Sequence, residues 1–364
     1  MFKNSWQVVG TALATSGLLV LGPTPVPAEN MSTFPTSVTT QTQYRLGDPI
    51  DMTFALHNPT AQDYSLLVWD TPLEGRGREA GSYVKLRRGT QEVAYQGRIV
   101  TRSATASARS YRTVHAGETV RETVDLTTAF AITQPGTYTV TLDSWIRDVV
   151  TGSAPPARTS TQFTAHDLAA TAATFEVLPG GEPRLTSGAQ RRQANEKTAQ
   201  KAKFKNMSDG QERDLRKAIP KANNLVDEAL DELDDNPRSD EYERWFGNWK
   251  ESRYDKVVSI YEKIGDDATD ATYDGDCDGE DEDLFAWMDL SDPNYIWLCT
   301  LFWDLPISGE DYSMSGTILH EESHFAGTDD IEYGPEECEA LADDHPDKAV
   351  RNADNYSFYA DDVD

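Results

Sequence analysis

At 364 residues, with 38% hydrophobic and 10% aromatic side chains, the chain is long enough for two ordinary domains, each with its own core. A formal net charge of −29 argues against nucleic acid as a partner, because phosphate contacts need lysine and arginine. Residues 1–200 carry 18 basic and 17 acidic side chains, leaving 15 and 45 for residues 201–364, so two chemistries share one chain.

The first 28 residues stand apart. Lys3 precedes an apolar stretch through Leu18-Leu19-Val20-Leu21, followed by Pro23 to Pro27 and the small Ala28. A basic start, a short apolar run and a small-residue exit read as a secretory signal peptide. The run is too short to span a bilayer well, and no later segment comes closer. The mature protein is therefore expected to be secreted, soluble and free of membrane spans, acting as a monomer. In an oxidising compartment its three cysteines should give one disulfide. Cys277 with Cys299 is the preferred pair because it closes a short loop, which leaves Cys338 free or buried.

Residues 29–178 are β-like. Runs such as Ile50–Leu56, Tyr64–Trp69, Ser82–Leu86, Glu92–Tyr95, Glu122–Leu126 and Gly136–Leu142 alternate apolar and polar residues between turn signals. That spacing suggests an antiparallel, immunoglobulin-like sandwich. His57, His115 and His166 are scattered through it and form no catalytic cluster. Residues 179–205 change character and read as a linker, with a dibasic Arg191-Arg192 as a candidate processing site.

Residues 206–364 read as mainly α. Leu215, Ala218, Ala222, Leu225, Ala229 and Leu233 keep helical spacing, with Pro220 expected to bend or break the helix. A second helix is expected from Asp240 to Ile264, with Trp245, Val257, Val258 and Tyr261 inward. Residues 273–312 look irregular with short strands, and two helices should follow near 314–326 and 335–344. Asp274-Gly275-Asp276-Cys277-Asp278-Gly279 begins like a calcium loop, but Phe285 stands where a bidentate glutamate is needed. A solvated acidic turn is the better reading. Asn30, Asn206 and Asn355 open glycosylation patterns.

The chemistry sits in His320-Glu321-Glu322-Ser323-His324. On a helix, residues four apart share a face, so both imidazoles reach one ion. Glu321 then stands beside the open coordination position, where it can take a proton from water. A third protein ligand is needed. Gly327-Thr328 turns the chain back toward Asp329 and Asp330, while Glu336 and Glu337 lie further on in a second helix. An aspartate just past the glycine turn is easier to place than either glutamate.

This run, with Gly327-Thr328-Asp329-Asp330-Ile331-Glu332-Tyr333-Gly334, resembles the aspzincin metallopeptidases, the family of deuterolysin and peptidyl-Lys metalloendopeptidase. The similarity extends to Tyr242-Glu243-Arg244-Trp245-Phe246-Gly247, to Leu298-Cys299 with Phe302-Trp303, and to Asn352-Ala353-Asp354-Asn355-Tyr356. The β-like half, with Asp70-Thr71-Pro72-Leu73-Glu74-Gly75, resembles the N-terminal domain of longer members.

The resemblance implies a zincin-type domain with Zn²⁺ on His320, His324 and Asp330. It makes Glu321 the general base and Tyr333 the donor to the oxyanion. It implies protein or peptide substrates, and makes Asp354 one of an acidic pair that receives the lysine following the cut bond. The partner position, a glutamate in lysine-specific members, is Ser357 here, so lysine preference should be weaker or broader. Two rival expectations stand beside this one. The chain could be a secreted adhesin or toxin-like binding protein with a structural zinc, for which His345 is the nearest fourth ligand. Alternatively, residues 29–200 could form a pro-segment that inhibits or assists folding until removed.

Overall fold

A computed structural model describes residues 34–364 apart from 76–78, 80, 155, 169–171, 188, 191–201, 266–269, 278–282, 293 and 310. The expected signal peptide, Asn30 and the expected processing site Arg191-Arg192 lie outside the described residues.

The first nine strands used here are β1 (Thr36–Thr40), β2 (Gln43–Arg45), β3 (Asp51–His57), β4 (Val84–Arg88), β5 (Gln91–Val93), β6 (Arg98–Arg102), β7 (Thr119–Asp125), β8 (Gly136–Leu142) and β9 (Ala173–Leu178). One sheet has the order β1-β3-β7 and a second β2-β9-β8-β4-β5. Alternation decides which faces are covered. Met52, Phe54 and Leu56 of β3 are buried, while the residues between them are half-buried. They share one apolar core with Leu86, Tyr138, Val140 and Phe175 of the second sheet. Shorter strands at Tyr64–Leu67, Tyr111–Val114 and Val149–Thr151 form a third sheet. The N-terminal half is thus β-rich, as expected.

The later half contains helices α1 (Asp209–Asp235), α2 (Asp240–Phe246), α3 (Glu251–Ile264), α4 (Met314–Ala326), α5 (Pro335–Asp344), α6 (Pro346–Ala349) and α7 (Ala353–Val363). Helix α1 starts at a capping box of Ser208 and Gln211 and stays continuous through Pro220. Leu215, Ala218, Ile219, Ala222 and Leu225 are buried on both sides of that proline. Apolar burial of about 1.5–3 kcal/mol per large side chain outweighs the missing hydrogen bond. The expected second helix is instead divided in two. Gly247 ends α2 at φ 73°, and a Cβ there would lie 2.4 Å from the Ala342 carbonyl oxygen. The backbone turns sharply to let α5 approach.

The helices pack on a sheet with β10 (Lys203–Lys205), β11 (Thr272–Asp274), β12 (Leu284–Asp289) and β13 (Tyr295–Leu298). Its order is β10-β11-β13-β12-β6. The fifth strand comes from the β-rich half: β6 pairs antiparallel with β12, with Val100 opposite Trp287 and Ile99 opposite Met288.

Cys277 and Cys299 are disulfide-bonded and Cys338 is buried, as expected. Asp274 is not a solvated acid. It is buried, accepts from Tyr295 Oη at 2.5 Å and from Asn206 Nδ2 at 2.8 Å, and so belongs to the sheet's support. Asn355 is fully buried, which places one glycosylation pattern out of reach in the folded protein.

Candidate metal centre

The Ser313 hydroxyl opens α4 by accepting from the Gly316 N–H at 2.9 Å. Every residue of this helix except Phe325 is buried, so its charged groups must be satisfied inside the protein. His320 and His324 lie one turn apart on one face, with ring centroids 4.9 Å apart. Gly327, in the left-handed conformation at φ 106°, stops the helix and reverses the chain. The return brings Asp330 Oδ1 to 3.0 Å from His320 Nε2 and 3.4 Å from His324 Nε2. Among the described residues these three form the one group placed to share a metal ion.

Both rings are held from behind. His320 Nδ1 lies 2.6 Å from Asp354 Oδ1, and His324 Nδ1 lies 3.2 Å from the Thr328 carbonyl oxygen. With Nδ1 donating in each case, Nε2 is left as the ligand atom. The loop carrying Asp330 is fixed in turn. Asn352 Oδ1 accepts from the Ile331 N–H at 2.7 Å and the Glu332 N–H at 3.0 Å. Arg147, from the β-rich half, donates to Glu332 at 3.0 Å and to the Ile331 carbonyl at 2.9 Å.

The electrostatics suit a cation. Burial would lower the His320 pKa, but hydrogen bonds and charge from Asp330 and Asp354 overcome it and push it up to about 10. Burial opposes ionisation of Asp330, yet the two histidines hold its carboxyl well below the usual carboxylate range. Glu321 is raised by burial to about 7, partly offset by the neighbouring histidines and by Thr101. His324 Nε2, Asp330 Oδ2 and Glu321 Oε2 are buried without hydrogen-bond partners among the described residues. Such atoms are ordinarily satisfied. Two imidazoles and a carboxylate are the donor set of an open zinc site, so the residues present fit that ion.

Tyr333 follows the metal loop. Its phenol donates to the Val100 carbonyl at 3.2 Å, and burial raises its pKa well above the ordinary value, so it stays a donor. The Thr101 hydroxyl donates to Glu321 Oε1. Asp329 is exposed and pairs with Arg351 at 3.3 Å, as a solvated neighbour would. Glu336 and Glu337 open α5 outside the metal group, and His345 is exposed at its far end.

Asp354, expected to receive a substrate cation, stands behind His320 on its Nδ1 side. It is 1% exposed, and besides His320 it accepts from Tyr312 Oη at 3.2 Å and the Gly334 N–H at 3.0 Å. A substrate lysine would have to displace those partners. Ser357, one turn on, is buried and donates to the Asp354 carbonyl at 3.0 Å. Sequence reasoning missed Thr101, Val100 and Arg147, and named Asn352 without giving it a role. The run Ile99-Val100-Thr101 is β-branched and suits a strand, but it was not among the expected strands and carries no sign of its distant partner.

Residues 233–361 match the family described as lysine-specific metallo-endopeptidase, the aspzincins. An extracellular protease of Aeromonas hydrophila is 27% identical over 317 residues, covering 86% of this chain and 88% of that protein. The peptidyl-Lys metalloendopeptidase of Pleurotus ostreatus is 35% identical over 163 residues, covering 44% of this chain and 96% of its own. The solved zinc peptidase of Grifola frondosa is 32% identical, covering 43% of this chain and 97% of its own, with a TM-score of 0.41. Identity of this extent, joined to the two-histidine, one-aspartate centre, makes the chain a member of the aspzincin family of zinc metalloendopeptidases.

Proposed function

We propose that this chain is a secreted endopeptidase in which His320, His324 and Asp330 hold the zinc, Glu321 is the general base and Tyr333 stabilises the oxyanion. The observation that carries this is the approach of His320 Nε2 and His324 Nε2 to one carboxylate, with a partnerless Glu321 oxygen buried beside them. Zinc supplies Lewis acidity for the attacking water and the scissile carbonyl. Glu321, raised toward neutrality, takes a proton from that water and returns it to the leaving amine. Tyr333 donates a hydrogen bond to the carbonyl oxygen as its charge grows. Asp354 orients His320, which leaves lysine after the cut bond a weak preference, in keeping with Ser357. Secretion is supported by the Cys277–Cys299 disulfide and by an extracellular relative.

The two halves take different parts in this reading. Residues 29–178, read as an immunoglobulin-like sandwich, serve as a pro-segment and residues 206–364 as the peptidase, while Lys203–Lys205, at the end of the expected linker 179–205, already pair as β10 in the sheet under the helices. Latency of the intact chain is supported by β6, whose Thr101 and Val100 engage the base and the oxyanion donor. The test of the catalytic roles is a pair of variants assayed for hydrolysis and for zinc by mass spectrometry. Glu321→Gln is expected to keep zinc and lose about 100- to 10,000-fold in kcat, whereas Asp330→Ala should lose the metal. Wild-type turnover in the first, or full zinc in the second, removes that residue from its role.

A further inference from the structure

Strand β6 meets the groups that a cleaved bond would meet. Tyr333 donates to the carbonyl of Val100, and the next residue, Thr101, touches Glu321. A peptide lying on β12 in this register would be cut between the residues standing at positions 100 and 101. Side chains alternate across a strand, so position 101 faces α4 while positions 98 and 100 face the other side. There the Arg98 guanidinium lies 3.8 Å from the Trp287 ring centroid. Trp287 is itself stacked on Trp297 at 3.8 Å and 3°, and Trp297 on Tyr295 at 4.2 Å. The three rings form a rigid, electron-rich platform whose end face is covered by a cation of the chain's own β-rich half.

We propose that Trp287 is the floor of a substrate pocket that takes a basic side chain at the third residue before the cut bond, a place Arg98 fills in the intact chain. This rests on the peptidase reading and adds to it a determinant on the opposite side of the bond from any lysine preference. The surplus of acidic groups in residues 201–364 favours the same ligand at long range.

The test uses the zinc-loaded full chain, before and after limited trypsin digestion, on peptides of one sequence carrying arginine, citrulline or alanine at that third position. Citrulline keeps the shape and removes the charge. Arginine is expected to exceed both in kcat/KM by about tenfold. The same arginine moved one residue toward the cut, where its side chain faces away from Trp287, should gain less than twofold. Binding of the same labelled peptides to digested Glu321→Gln protein, read by fluorescence anisotropy, should follow the same order. Cleavage of all three within twofold, or equal gain at both positions, overturns the pocket and leaves the peptidase standing. If neither form cuts any peptide with zinc bound, the peptidase reading falls and the pocket with it.

Discussion

His320 is gripped at both ring nitrogens, by Asp330 at Nε2 and by Asp354 at Nδ1. The Asp354 contact is a buried carboxylate backing a metal-facing imidazole, an arrangement that fixes the tautomer and raises ligand basicity. Asp354→Asn should therefore weaken zinc about 10- to 100-fold in a chelator competition, with little change in melting temperature. A second carboxyl, Asp361, lies one turn past Ser357. Burial, with help from Asp364 and Asp311, raises its pKa to about 8, and its Oδ2 has no hydrogen-bond partner among the described residues. Below about pH 4 both folded and unfolded states are protonated, and this residue costs nothing. As pH climbs from about 4 to 8 the unfolded state sheds its proton first, so stability falls, and above about 8 the loss is constant. Asp361→Asn should stabilise by about 2 kcal/mol at pH 8, allowing for partial exposure, and be neutral near pH 3.5 in denaturant titrations. At this scale the grouping of His320, His324 and Asp330 was legible because it depends on local spacing along one helix and the turn after it. Asp354 was legible as a residue, but its contact with His320 was not, since type alone does not say which way a carboxylate faces.

Helices α2 and α3 show where local pattern stops being sufficient. Their apolar spacing is continuous, yet the chain breaks at Gly247 because α5 comes within reach of the backbone. Gly247→Ala should lower stability by about 2 kcal/mol or more, visible as a lower Tm, since the clash is with a carbonyl that cannot rotate away. Pro220 errs in the opposite direction, with a strong local breaker overruled by the buried stripe on either side. The least legible element is β6. Val100 and Tyr333 are 233 residues apart, and strand pairing over such a distance leaves no local trace. Its β-branched composition suits a strand, yet none was expected there and nothing announced the sheet.

For the molecule as a whole, the halves differ in charge, and the contacts that join them include β6 on β12, Arg147 on the metal loop, Trp69 against the Tyr333 ring, and Asp283, which accepts from the Ser107 N–H at 3.3 Å and from Ser110. The β-rich and helical character of the halves was legible from periodicity. Their contact was not, because it joins backbone pairing of β6, a small apolar cluster around Val100 and Trp287, and polar side chains, all from segments far apart in sequence. If β6 blocks the cleft, the intact zinc-loaded chain should hydrolyse a reporter peptide at least about tenfold more slowly than the same chain after a nick that frees the β-rich part. Equal rates in the two forms would mean the cleft is already open. Without β6, β12 would carry a row of unpaired amides and carbonyls beside an uncovered tryptophan. A bare strand of that kind recruits whatever extended backbone comes first, including another molecule of the same enzyme. Storage of such a freed form at high concentration without peptide should therefore favour clumping.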